Sequence, residues 1–263
     1  MTTLVAELGK KLADRWLGTL VLPGLLFVAV ATCGRLLGHG RALRPGVLPA
    51  EVDRLVRGLS GTSTAFAVAG LLLAATAAGV AARAVAAAVR RVWTARRPRR
   101  WVAWRHRRAL AAAPERLPVQ YLPARATPVG DRFRLVDERV AVQFGLSVVL
   151  AWPRLWLLVA EPTAAAVRLA AARYRAATET TAWGVLYLVL GAVWWPAAVV
   201  GAAVVVVGYR QSRVRGGVLA DVVEATVDVH QKQLAEAVGV DLPHGRVTPA
   251  EGLRINDVLN KRA

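Results

Sequence analysis

The sequence predicts an all-α integral membrane protein, with four transmembrane helices in two hairpins and amphipathic helices on the cytoplasmic side. Composition is the first ground: 56% of the 263 residues are hydrophobic, yet 35 Lys and Arg stand against 17 Asp and Glu, a pairing that soluble domains seldom show. Segregation is the second. Residues 17–34, 58–82 and 180–209 contain no charged side chain, whereas 83–108 contain ten arginines and no acid. Roughly 20 apolar helical residues cross a hydrocarbon layer about 30 Å thick, and the three uncharged stretches reach or approach that length. Placement is the third, because the arginines begin where apolar runs end, as cytoplasmic flanks do. A nucleic-acid reader would carry its base on a soluble module, so the excess points to topology and to the anionic headgroups of membrane lipids as partners, with no nucleic acid.

Residues 1–16 set Leu4, Leu8, Leu12 and Trp16 on one face among charged positions, which predicts an interfacial helix. The first transmembrane hairpin covers 17–89, with spans at about 17–37 and 64–89. The first span is longer than a signal-peptide apolar region and is read as retained. Its Pro23-Gly24 pair predicts a kink. Ala65, Ala69, Gly70, Ala74, Ala78 and Gly79 of the second span predict close packing against another helix. Residues 90–128 begin with an arginine and tryptophan segment: Arg90, Arg91, Trp93, Arg96, Arg97, Arg99, Arg100, Trp101, Trp104, Arg105, Arg107 and Arg108. Tryptophan favours the headgroup level, so this segment is expected to lie along the membrane surface as an anionic-lipid interface. Prolines at 114, 118, 123 and 128 predict an extended linker behind it.

Residues 129–179 form a cytoplasmic or interfacial helical module, in which Phe133, Val136, Val140 and Phe144 share a face and Gly145 ends the helix. The apolar stretch 146–160 carries Pro153 and Arg154 at its centre, a poor span, and is read as interfacial or re-entrant. Residues 180–210 predict the second transmembrane hairpin. Their uncharged core as one helix would measure about 45 Å, and Trp194, Trp195 and Pro196 at its middle mark a tip. Arginines before and after it place both ends inside. Residues 211–263 form a soluble helical tail whose character changes after Gly216-Gly217, with Leu219, Val222, Val223, Val227, Leu234 and Val238 as its apolar stripe. Asp221, Glu224 and Asp228 make an acidic docking stripe. Thr248, Pro249 and Glu251 form a capping-box signature, opening a last helix with Leu253, Val258 and Leu259 inward.

Little of this is chemistry. His39, His106, His230 and His244 are scattered without metal-ligand spacing, and the single cysteine, Cys33, permits neither an intrachain disulfide nor a thiolate cluster. No phosphate-binding glycine loop or nucleophile elbow is present. No catalytic, cofactor-binding or metal-binding residue is assigned, and no cofactor is expected. Arg83 and Arg154 are read as snorkelling side chains and Glu179 as a headgroup-level group.

Residues 130–162, GDRFRLVDERVAVQFGLSVVLAWPRLWLLVAEP, join a glycine-opened amphipathic helix, the Phe144-Gly145 pair and a Trp152–Leu155 turn. This segment, about an eighth of the chain, resembles one found in uncharacterised multi-pass bacterial membrane proteins, many of them actinobacterial. The resemblance implies a shared cytoplasmic module and carries no activity. The expected role is non-enzymatic: an inner-membrane anchor or scaffold, both termini cytoplasmic, serving a cytoplasmic partner or a homo-oligomer. An oligomeric pore or membrane-perturbing effector is the alternative.

Overall fold

The computed structural model describes residues 21–44, 46, 48–57, 61–96, 98–112, 118 and 121–260. The expected interfacial helix at 1–16, the first residues of span one, Arg97 and most of the stretch 113–120 lie outside the described residues. Every regular element described is helical: α1 Leu22–Leu37, α2 Leu48–Val56, α3 Gly61–Thr94, α4 Arg99–Ala112, α5 Pro128–Phe144, α6 Val148–Leu158, α7 Glu161–Leu190, α8 Trp195–Ala237 and α9 Pro249–Asn260. Contacts divide them into two units. Unit 1 holds the described parts of Met1–Val89 with Thr178–Tyr209, and unit 2 holds Arg90–Ala177 with Arg210–Ala263.

Unit 1 is assembled through glycines. A Cβ on Gly24 of α1 would collide with the Ala75 carbonyl of α3, so glycine lets the two backbones touch. Ala75, Gly79, Ala82 and Ala86 line the buried side of α3, while Ala65, Ala69, Gly70 and Ala74 face outward. The packing expected of this span therefore uses only its second half. Pro23 stands in the first described turn of α1, and Val21 before it is already in the right-handed helical region at φ −75°, ψ −44°, so the expected kink falls at the edge of the described residues. The unit 1 parts of α7 and α8 run antiparallel. Cβ atoms on Gly184, Gly201 and Gly208 would approach Val205 N at 2.7 Å, Leu188 N at 2.6 Å and Thr181 N at 2.6 Å. Gly184 with Gly191, and Gly201 with Gly208, repeat at seven-residue spacing, two helical turns on one face. The turn between the helices occupies 191–194, and α8 opens at Trp195 with Pro196 in its first turn.

By length and composition, α3 is the single described helix apolar and long enough to cross a bilayer alone, and 17% of its most apolar stretch is buried within the chain. The apolar parts of α7 and α8 are shorter, roughly 20 Å each at 1.5 Å per residue. Both belong to longer continuous helices, so neither has to end where its apolar residues end.

Unit 2 has a conventional side-chain core. Val136, Val140, Phe144, Leu146, Ala151, Leu155, Ala220, Val227, Leu234, Ile255 and Leu259 are buried together. Thr127 caps α5 by accepting from Gly130 N, and Gly145 closes it in the left-handed region at φ 67°. The chain then bends by 83° into α6. Asn256 of α9 satisfies the open backbone at this bend: its Nδ2 donates to Gly145 O at 2.7 Å and its Oδ1 accepts from Ser147 N at 3.1 Å.

The stretch 146–160 buries Leu146, Ala151 and Leu155 in the unit 2 core, while Val149 and Leu157 on its other face are 76% and 83% exposed. Other expectations are corrected. Arg154 is no snorkelling side chain, since its guanidinium donates to Leu150 O and Leu259 O. The change of character after Gly216-Gly217 falls inside α8, which runs through them unbroken. Gly216 lies against Tyr174 and Val129, where a Cβ would have 3.2–3.5 Å of room. In α9 the inward residues are Glu251, Gly252, Ile255 and Leu259, whereas Leu253 and Val258 are 60% and 53% exposed. Backbone contact sets that face, since a Cβ on Gly252 would overlap the Phe144 carbonyl.

Gly252→Ala should therefore destabilise unit 2 by about 1–3 kcal/mol. Gly217→Ala, in mid-helix with nothing within 4 Å, should be neutral or stabilising by up to about 1 kcal/mol. Denaturant titration of the two variants in detergent separates a packing glycine from a tolerated one.

Candidate functional site

The residues singled out in the arginine and tryptophan segment part company in the structure. Trp93 is 8% exposed, and its carbonyl accepts from Thr127 Oγ1 at 2.9 Å. Arg90 is half-buried. The Tyr174 hydroxyl is pushed above its ordinary pKa by burial, and the Arg90 charge opposes that rise. Arg105 is inward as well, its side chain 13% exposed and paired at 2.9 Å with Asp131. Trp93 and Arg105 thus face the interior of unit 2, and Arg90 is partly covered. Arg91, Arg96, Arg99, Arg100, Trp101, Trp104, Arg107 and Arg108 are exposed.

Asp131 organises this corner. Its Oδ1 accepts from Ala124 N and Arg125 N, both at 2.8 Å, and its other oxygen meets Arg105. The carboxylate lies in the first turn of α5, where the helix dipole also favours a negative charge. Around it α4 is tied to the turn 121–127: Trp101 Nε1 donates to Ala126 O at 2.9 Å, Arg105 donates to Arg125 O, and His106 Nδ1 lies 3.3 Å from Pro123 O. The sequence reading missed Asp131, whose partners stand up to 26 positions away; an acid in the first turn after a Thr-Pro cap was the available signal.

Outside these contacts α4 presents an aromatic and cationic surface. The Trp101 and Trp104 rings stack at 4.8 Å with an interplanar angle of 21°, and the Arg108 guanidinium sits 5.2 Å from the Trp104 centroid. Arg100 and Arg107 occupy the adjoining exposed side.

The acidic stripe is used within the chain. Asp221 pairs with Arg132, Glu224 pairs with Arg139 at 2.6 Å, and Asp228 lies within range of the Arg139 charge. The arginines that meet it come from α5, not from the basic segment, so Asp221 and Glu224 hold α8 to α5. At the hairpin tip Trp195 is 43% exposed, Pro196 is half-buried, and Trp194 packs beside Gly34 while its Nε1 donates to Ala42 O at 3.3 Å. His230 is buried with Nδ1 3.0 Å from Thr226 O, and among the described residues no group of His, Cys, Asp and Glu is placed to hold a metal ion. A cavity of about 370 Å³ along α5 is walled by Phe133, Val136, Val148 and Val223, with Arg125, Arg134 and Asp137 at its polar side.

The expected capping box is half formed at α9, through its Glu251 arm. Glu251 accepts from Thr248 N at 3.0 Å and from the Thr248 hydroxyl. That side-chain hydrogen bond holds the Glu251 carboxyl below its ordinary pKa, with the backbone amides and His244 adding to the effect and burial opposing it.

No family model, curated protein or solved structure matches the chain.

Asp131→Ala leaves Arg105 buried without its carboxylate and two amides without an acceptor, so unit 2 should lose about 3–5 kcal/mol, measured by thermal unfolding in detergent. Glu251 gives a pH signature. Because its folded pKa is lowered, the α9 contact is at full strength above the ordinary carboxylate range and weakens as pH falls through the lowered value. Protection of the α9 amides, taken as exchange relative to the intrinsic rate at each pH, should fall on acidification in the native chain, and Glu251→Gln should remove that component of the pH dependence.

Proposed function

We propose that the chain is a non-enzymatic, multi-pass inner-membrane anchor or scaffold, with four spans in two hairpins and both termini in the cytoplasm. Unit 1 holds it in the bilayer, and unit 2 serves a cytoplasmic partner or another copy of the chain. One observation carries the reading: α3 is not a core helix. A helix this apolar in a soluble domain is mostly buried, whereas Phe66, Leu73 and Val80 of α3 are 74%, 71% and 57% exposed, a surface that suits lipid and not water. Arginines begin at its end, as cytoplasmic flanks do. The glycine seam between α7 and α8 supports a second hairpin, since small residues let helices associate where lipid tails remove the hydrophobic drive. Arginines snorkelling at the ends of the two short apolar arms extend their reach.

The oligomeric pore is the second reading, favoured by the outward Ala67, Gly70, Ala74, Ala77 and Ala81 of α3, a ridge of small residues at heptad spacing.

Alkaline phosphatase fusions test the topology. Fusions after Gly40 and after Trp194 should be active, and fusions after Ala112 and after Asn260 inactive; activity at Asn260 would sink the four-span arrangement. The protein mass in detergent then separates the readings, with a monomer or dimer expected for the scaffold and a ring-sized assembly for the pore.

A further inference from the structure

We infer that α4 is a headgroup-level platform for anionic lipid, and that Asp131 is the residue that positions it. The inference rests on the proposed span in α3 and names the partner of the exposed side of α4. Two observations carry it. The first is that α4 is docked along one side only. Val102, Arg105, His106 and Ala109 are half-buried, and Asp131, the 123–126 carbonyls and the Arg105 pair fix that side. A free basic tail would have no such attachment.

The second is what the fixed helix presents. Trp101 and Trp104 are 48% and 41% exposed, stacked on each other with Arg108 over Trp104, and Arg100 and Arg107 stand beside them. Two indoles are held half-out of the protein, and Trp101 is tethered there by its own N–H. Tryptophan so placed is stable where one end of the ring is apolar and the other wet, and the arginines supply the attraction to phosphate. Single-stranded nucleic acid would need open ring faces for its bases, but here faces are taken up by the Trp101–Trp104 stack and by Arg108.

The test uses the full chain with Cys33→Ser and Ala111→Cys, a position on the Trp104 side of α4, carrying a nitroxide in nanodiscs. Discs of phosphatidylcholine alone are compared with discs that include phosphatidylglycerol. The ratio of oxygen to nickel-chelate accessibility should rise in the anionic discs and fall back at high salt. Replacing Arg100, Arg107 and Arg108 by Gln should lower the equilibrium constant for lipid contact by roughly fivefold per arginine, read as loss of most of that gain, and Trp101→Ala with Trp104→Ala should abolish the rise in oxygen accessibility. Asp131→Asn should free the Ala111 label and erase the lipid response, with Asp131→Glu restoring part of it. A second label at Leu253→Cys, on exposed α9, should stay unchanged in Asp131→Asn. Equal accessibility in both discs overturns the platform while the scaffold reading stands. A response to a single-stranded oligonucleotide in neutral discs, without one to phosphatidylglycerol, overturns the choice of lipid. Mobilisation of both labels by Asp131→Asn overturns the positioning role, since Asp131 would then support the whole unit. A chain extracted from membranes by carbonate overturns both the scaffold reading and the platform.

Discussion

A single carboxylate, Asp131, gathers one corner of unit 2. It accepts two backbone amides from the turn before α5, pairs with Arg105 of α4, and sits in the first turn of α5. With its side chain 12% exposed, the charge is tolerable because two backbone amides and a guanidinium meet it. The pair with Asp131 accounts for Arg105 turning inward while Arg107 and Arg108 stay exposed.

Both units bring backbones together at glycines, and they differ in the side chains packed around them. In unit 1 Gly24 meets Ala75, Gly184 meets Val205 and Gly208 meets Thr181, with Phe27 against Trp183 and Tyr187. Close approach maximises dispersion and needs no water to be released, which is the packing available in a lipid setting. In unit 2 the contacts run through Phe144, Leu155, Leu234 and Ile255, large side chains whose burial releases water. The division falls at Val89/Arg90, Ala177/Thr178 and Tyr209/Arg210, each within a few residues of an arginine in the sequence.

Much of the helical pattern was legible because it is local. The α5 stripe of Phe133, Val136, Val140 and Phe144, the Gly145 stop, the Thr248–Glu251 box and the break near Trp194 are all written within a few residues of themselves. Non-local partners were not legible. Asn256 bonds to Gly145 and Ser147 across more than 100 positions, and nothing in the neighbourhood of Asn256 marks it. The inward face of α9 was misread for the same reason: Leu253 and Val258 are the more apolar choices, but the nearness of the Phe144 backbone selects Gly252 and Ile255. The acidic stripe on α8 read as a docking stripe of unassigned partner because its partners, Arg132 and Arg139, are written 80 to 90 positions earlier. In the basic segment, composition is uniform and only the fold separates Arg105 from Arg107.

The placement of Asn256 bears on the order of events during synthesis. The chain emerges from its N-terminal side, so α5 and α6 exist well before α9, with the whole α7 and α8 hairpin made in between. Until Asn256 arrives, the bend at Gly145 has an unanswered carbonyl and amide, and Phe144, Leu146 and Leu155 lack the part of their cover that Ile255 and Leu259 supply. An apolar, half-finished surface thus waits through the interval in which the apolar α7 and α8 segments are being made. The last helix acts as a latch in time, and a chain stalled before it would leave that surface open to other chains.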